Sequence, residues 1–134
     1  MRYLLDTNIC IYLIRQKPLQ VIERFNAYSI GEIGVSSITV SELWYGVAKS
    51  ERRNINEQAL RQFLLPPVVA AFDEGAAEIY GQIRAALGKQ GQPIGAMDTL
   101  IAAHAQSLGA VLVTNNEGEF SRVSGLIIEN WARG

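Results

Sequence analysis

Two rhythms of apolar and polar positions run along this chain: short apolar runs, and stripes at helical spacing. Tyr3, Leu4 and Leu5 form an apolar run that Asp6 ends at once. A run so short, bounded by polar residues, predicts a strand buried on both faces, as in parallel sheets. Ile9 to Arg15 then reads as a helix that Thr7 or Asn8 can cap and that stops near Lys17-Pro18. Residues 19–27 carry Val21, Ile22 and Phe25 at helical spacing, and residues 32–36 read as a second strand. The spacing predicts an amphipathic helix over 37–50, with Leu43, Trp44, Val47 and Ala48 as its stripe. A further helix over 56–65 ends at Pro66-Pro67, and 68–72 is a third strand. Asp73 can cap a long helix over 74–89, and Gly109 ends another over 97–107. Residues 110–113 form a fourth strand, 114–120 a polar turn and 126–129 a fifth strand, with Trp131 packing the tail down.

Short strands separated by helices imply parallel pairing through right-handed crossovers. The expectation is an α/β/α sandwich with a parallel sheet of about five strands, organised as one domain over 1–134. Hydrophobic residues make up 49% of the 134, enough for one core without disulfide or structural metal. Cys10 is the only cysteine, which fits a reducing, cytoplasmic setting. No apolar run approaches the roughly 18 residues of a membrane span, and no signal peptide is visible. The net charge of −1 argues against bulk electrostatic capture of nucleic acid. Cations come in small groups, Arg15 with Lys17, Lys49 with Arg52 and Arg53, and Arg84 with Lys89, each of which also reads as an ordinary solvated helix face.

The candidate chemistry is acidic. Asp6 ends the first strand, Glu42 and Asp98 lie near the starts of helices, and Asn116 and Glu119 follow the fourth strand. Each has a bland alternative. Asp6 can cap a helix; Thr39-x-x-Glu42 and Asn116-x-x-Glu119 have capping-box spacing; Asp98 suits a helix dipole. In a parallel sheet, however, strand ends and the starts of following helices share one edge, so these groups converge on one cleft. Two carboxylates about 4 Å apart repel by roughly 4 kcal/mol at an effective dielectric of 20. Several stay ionised at neutral pH only with a cation between them; otherwise some hold protons. Oxygen donors without a histidine or cysteine cluster select a hard ion, Mg²⁺ or Mn²⁺. Such an ion polarises a phosphoryl oxygen and activates a water for in-line attack, which reconciles a slightly acidic chain with a nucleic-acid substrate. His104, among apolar residues, reads as a packed, hydrogen-bonded histidine, and Cys10 as small helix filling.

Four ordered segments resemble the PIN-domain family, and within it the VapC toxins of bacterial toxin–antitoxin pairs. Residues 3–8 resemble the family's opening LDTN, and 38–46 its T-x-x-E-L-x-x-G helix. Residues 93–105 resemble its D-x-x-I-A-A-H-A segment, and 113–120 its closing T-x-N-x-x-E-F. The resemblance implies a Mg²⁺-dependent endoribonuclease with Asp6, Glu42 and Asp98 at the acidic positions, Asp6 and Asp98 holding metal. Many PIN domains carry an aspartate where this chain has Asn116, so either Asn116 or Glu119 takes the fourth position, with Asn116 in an orienting or water-binding role and Glu119 in a second-metal or outer-shell role; Thr7 and Thr114 support the site by hydrogen bonding. It further implies structured RNA as substrate, initiator tRNA foremost, and a VapB-type antitoxin as inhibitor. A homodimer, a toxin–antitoxin hetero-oligomer and contact with operator DNA only through the antitoxin also follow. Two other readings stay open: a PIN-like module that binds RNA or protein without cutting, which Asn116 favours, and a phosphatase using Asp6 as nucleophile. The second wants another aspartate two residues on, where this chain has Asn8.

Overall fold

β1 (Tyr3–Leu5) is three residues long and wholly buried. The period-two alternation of a strand divides those residues between two cores. Tyr3 and Leu5 join one cluster with Ile9, Cys10, Val21, Leu43, Leu60 and Trp131. Leu4 joins another with Ile83, Leu87, Ile101, Ala102, Leu112 and Phe120. The computed structural model describes residues 1–133, and its architecture is the expected α/β/α sandwich.

The other strands are β2 (Ile33–Ser36), β3 (Val68–Ala70), β4 (Val111–Val113) and β5 (Ile128–Glu129). They form a five-stranded sheet in the order β3-β2-β1-β4-β5. Every pairing is parallel. Leu5 lies level with Val35 and Val113, so Asp6, Ser36 and Thr114 emerge together on the carboxyl edge. Gly34 has a steric reason: a Cβ there would sit 2.9 Å from the Val68 carbonyl oxygen of the neighbouring strand.

The helices are α1 (Thr7–Arg15), α2 (Leu19–Asn26), α3 (Ser37–Lys49), α4 (Arg53–Phe63), α5 (Glu74–Lys89), α6 (Ala96–Leu108) and α7 (Glu117–Phe120). α1, α2 and α4 bury their apolar stripes against the first cluster, and α5 packs along α6 over the second. None of the helices among the described residues is long and apolar enough to cross a membrane.

Boundaries differ from the sequence expectation where a side chain or turn intervenes. The third strand stops at Ala70 rather than residue 72, because Phe72 N–H donates to the Ser37 hydroxyl (3.0 Å) instead of a strand. The fifth begins at Ile128 rather than 126, because Gly125 turns with φ +82°. α1 ends at Arg15, with Gln16 in the left-handed region as its cap.

Trp131 does pack the tail down. It is 1% exposed, stacks on Tyr28 at 5.7 Å and meets Tyr3 edge-on at 5.4 Å. Its indole N–H donates to Glu129, whose carboxylate also receives the Arg24 guanidinium at 2.9 Å. Trp131→Ala is expected to destabilise the fold by about 3–5 kcal/mol in chemical denaturation. A loss under about 1 kcal/mol would mean that the tail contributes little to the core.

Candidate functional site

Asp6 does two things at once. Its Oδ1 accepts from Ile9 N–H at 2.9 Å, capping α1, and its position sets it on the carboxyl edge of the central strand. Thr7 and Asn8, expected as alternative caps, are not the N-cap. Thr7 instead donates from its hydroxyl to Glu42 Oε1 at 2.6 Å, and the Thr39 hydroxyl lies 3.4 Å from the Thr7 hydroxyl.

The other capping alternatives also give way. Ser36 caps α3, its Oγ accepting from Ile38 N–H at 3.0 Å, so Thr39 and Glu42 form no capping box. α6 starts at Gly95 without a side-chain cap, and Asp98 stands in its first turn. Asn116 is the N-cap residue of α7 by position, yet its side chain caps nothing and donates to Glu119 Oε2 at 3.2 Å. Asn116 N–H donates to Thr114 Oγ1 at 2.8 Å, which holds the turn after β4.

The carboxylates feel one another. Burial pushes the Asp6 carboxyl up, opposed by Thr114 and Ile9 N–H, with the nearby Glu42 charge adding to the rise. Burial pushes Asp98 up to about 6, helped by a shared hydrogen bond and charge from Glu119, then by the charges of Asp6 and Glu42. Residues far apart in the chain are thus one electrostatic unit. No three carboxylates among the described residues already crowd around a single point. Mutual repulsion resists such crowding, and Mg²⁺ keeps several waters and needs only one or two protein carboxylates.

The structure separates two glutamates, Glu117 and Glu119, that the sequence places two positions apart. Glu117 is tied by Arg133 and by Asn130 Nδ2 (3.1 Å), and Asn130 also donates to Asn115 at 2.9 Å. Glu119 is left to face Asp98. Nothing in the local sequence marks Asn130 or Arg133 as the partners that make this choice. His104 lies outside the acidic cluster, buried with Nδ1 2.7 Å from Ser36 Oγ, as a packed histidine. Cys10 is buried, and burial pushes its thiol well up.

Beside the acids runs a groove of about 810 Å³ between α1, α3 and α4. Ile11, Ile14, Tyr45, Val47, Leu60 and Met97 line it, Arg15 and Lys49 add two cations, and Thr7 and Glu42 line it too. Two of the cations noted in the sequence therefore border the site; the groove itself was not legible there.

The PIN-domain model matches residues 3–126, and the chain belongs to the PIN-domain family. It is 46% identical to the tRNA(fMet)-specific endonuclease VapC of Shigella flexneri, over 98% of this chain and 99% of that protein. It is 47% identical to the ribonuclease VapC2 of Haemophilus influenzae, over 98% of both. Among solved structures, DNA-bound VapBC from Salmonella typhimurium superposes with a TM-score of 0.93 at 44% identity, over 98% of each chain.

The raised Asp98 pKa has a stability consequence. The folded carboxyl titrates at about 6 against an ordinary 3.8, so its proton stabilises the fold below about pH 4, and that stabilisation is lost as pH rises through 6. Asp98→Asn lacks this loss. In EDTA at about pH 7.5 its Tm is expected to exceed wild type by a few degrees, the gap closing near pH 4. A gap independent of pH would show that charge at Asp98 is not the cause.

Proposed function

We propose that this chain is a metal-dependent endoribonuclease, the toxin half of a toxin–antitoxin pair, acting in the cytoplasm on structured RNA. The observation that carries the reading is the electrostatic coupling of Asp98 to Glu119, Asp6 and Glu42, which adds to burial in raising the Asp98 carboxyl to about 6. An all-oxygen, mutually repelling donor set fits a hard divalent ion, Mg²⁺ first and Mn²⁺ second. Asp6 and Asp98 would hold it, with Glu42 and Glu119 in support. Bound there, it supplies Lewis-acid polarisation of the scissile phosphodiester. The chain's own groups do the rest. Ile9 N–H and Thr114 orient Asp6, Thr7 fixes Glu42, and Asn116 holds Glu119 beside Asp98. With their charge neutralised, these carboxylates can accept a proton from the attacking group without repelling RNA.

Initiator tRNA is the substrate we infer, cut in the anticodon stem-loop. The name of the Shigella flexneri relative supports it. A cognate VapB-type antitoxin is the inhibitor, and the VapBC complexes among similar structures support that pairing. The apolar groove ending at Glu42 suits a partner segment that lies along α1, α3 and α4 and reaches the acids. Operator DNA would be met only through the antitoxin.

Asp6→Asn and Asp98→Asn are each expected to reduce RNA cleavage by roughly 10²-fold or more while circular dichroism stays native. EDTA should abolish wild-type cleavage, and Mg²⁺ should raise the wild-type Tm more than that of either variant. The binding-only reading makes the opposite forecast: RNA retained by wild type, and no metal-dependent product at any enzyme concentration. Full activity in a purified Asp6→Asn or Asp98→Asn protein would remove the nuclease reading's chemical basis.

The groove gives a separate expectation. Ile14→Asp should weaken capture of a co-expressed antitoxin by about tenfold or more, because it buries an unpaired charge in an apolar contact. RNA cleavage by the purified variant should continue. Unchanged capture would move the antitoxin contact elsewhere.

A further inference from the structure

We infer that the buried hydrogen bond between Ser36 and His104 is a strut that sets α3 against α6, making both residues positioning residues for Glu42 and Asp98. This rests on the proposed metal-dependent site.

Ser36 and His104 are 0% and 1% exposed, and Nδ1 lies 2.7 Å from Oγ. The proton assignment follows from what each atom already does. Ser36 Oγ accepts from Ile38 N–H, so its own hydrogen is free to be donated to His104 Nδ1. Nδ1 is then the acceptor and Nε2 carries the ring hydrogen. Nε2 is buried, and its polar neighbour is the Ala71 backbone, outside good hydrogen-bond geometry. Around the ring stand the edge of Phe72, at 5.4 Å between centroids, and the Ala71 backbone and Asp73 charge, which favour the protonated ring. Burial outweighs them and keeps the ring neutral, the state the strut requires.

As pure packing this arrangement is poor. A buried N–H held only by a poorly aligned backbone contact is weakly satisfied, whereas an apolar side chain would fill the site with no polar group to satisfy. What the polar pair adds is direction. Ser36 is the N-cap of α3, and His104 lies within α6. Each is six positions from its acid, about 9 Å of helix at 1.5 Å per residue. A tilt of roughly 6° at the strut moves a point that far away by about 1 Å, enough to cost on the order of 10²-fold in a positioned reaction.

The test compares His104→Leu, His104→Asn, Ser36→Ala and the Ser36→Ala/His104→Leu double variant with wild type. Mg²⁺ binding is measured by calorimetry, RNA cleavage as separate kcat and KM, and Tm in EDTA. His104→Leu should keep or raise the Tm yet weaken Mg²⁺ binding about tenfold and lower kcat with KM unchanged. His104→Asn, which restores an acceptor near the Nδ1 position, should recover Mg²⁺ affinity to within about threefold of wild type. Ser36→Ala should weaken Mg²⁺ binding, and the double variant should be no worse than the poorer single. Wild-type Mg²⁺ affinity and kcat in His104→Leu, or in folded Ser36→Ala should His104→Leu not fold, overturns the strut. So does a lower Tm with unchanged Mg²⁺ affinity, which is a merely structural role. A wild-type protein that neither binds Mg²⁺ nor cuts RNA removes the nuclease reading, and the strut with it.

Discussion

Like charges gathered on one edge of a sheet have to be held there against their own repulsion, and the whole site is built around that constraint. The parallel register brings β1, β2 and β4 to a common level, so whatever follows them shares an edge. The acids then need donors. Asp6 has the first turn of α1 and Thr114; Glu42 has Thr7; Glu119 has Asn116. Asp98 is raised to about 6, first by burial and then by Glu119, Asp6 and Glu42. The unsatisfied charge is concentrated on one carboxyl, where a cation would relieve it most.

The surrounding structure protects this arrangement from other charges. Arg133 and Asn130 bind Glu117 and keep its charge from adding to the cluster. Arg24 is engaged by Glu129 on the tail, away from the acids. The buried strand underneath supplies rigidity. With Tyr3 and Leu5 in one core and Leu4 in the other, a shift of β1 by one residue would exchange every side chain between cores. The position of Asp6 is therefore fixed by packing on both sides of the sheet.

A groove that begins at Glu42 and continues along apolar residues of α1, α3 and α4 couples recognition to chemistry. A chain lying in it would meet Glu42, one of the acids of the proposed site. Under the proposed function, a partner segment held in the groove would compete with substrate at Glu42.

Much of this was legible along the chain. Short apolar runs and helical stripes specified the strands, the helices and their parallel pairing, because alternation and spacing record which faces are buried. The acids Asp6, Glu42, Asp98 and Glu119 could be named from their places after strands and at helix starts. Their surroundings could not. Thr39 with Glu42, and Asn116 with Glu119, have the spacing of capping boxes, and only the fold shows Ser36 taking the cap of α3 and Asn116 turning to Glu119. Glu117 and Glu119 are indistinguishable until Arg133 and Asn130 arrive from the far end of the chain. Sequence determined which residues stand at the edge, since that depends on local periodicity. Tertiary structure decided which charges are neutralised and which are left facing each other, because those energies depend on distances between segments that local pattern does not encode.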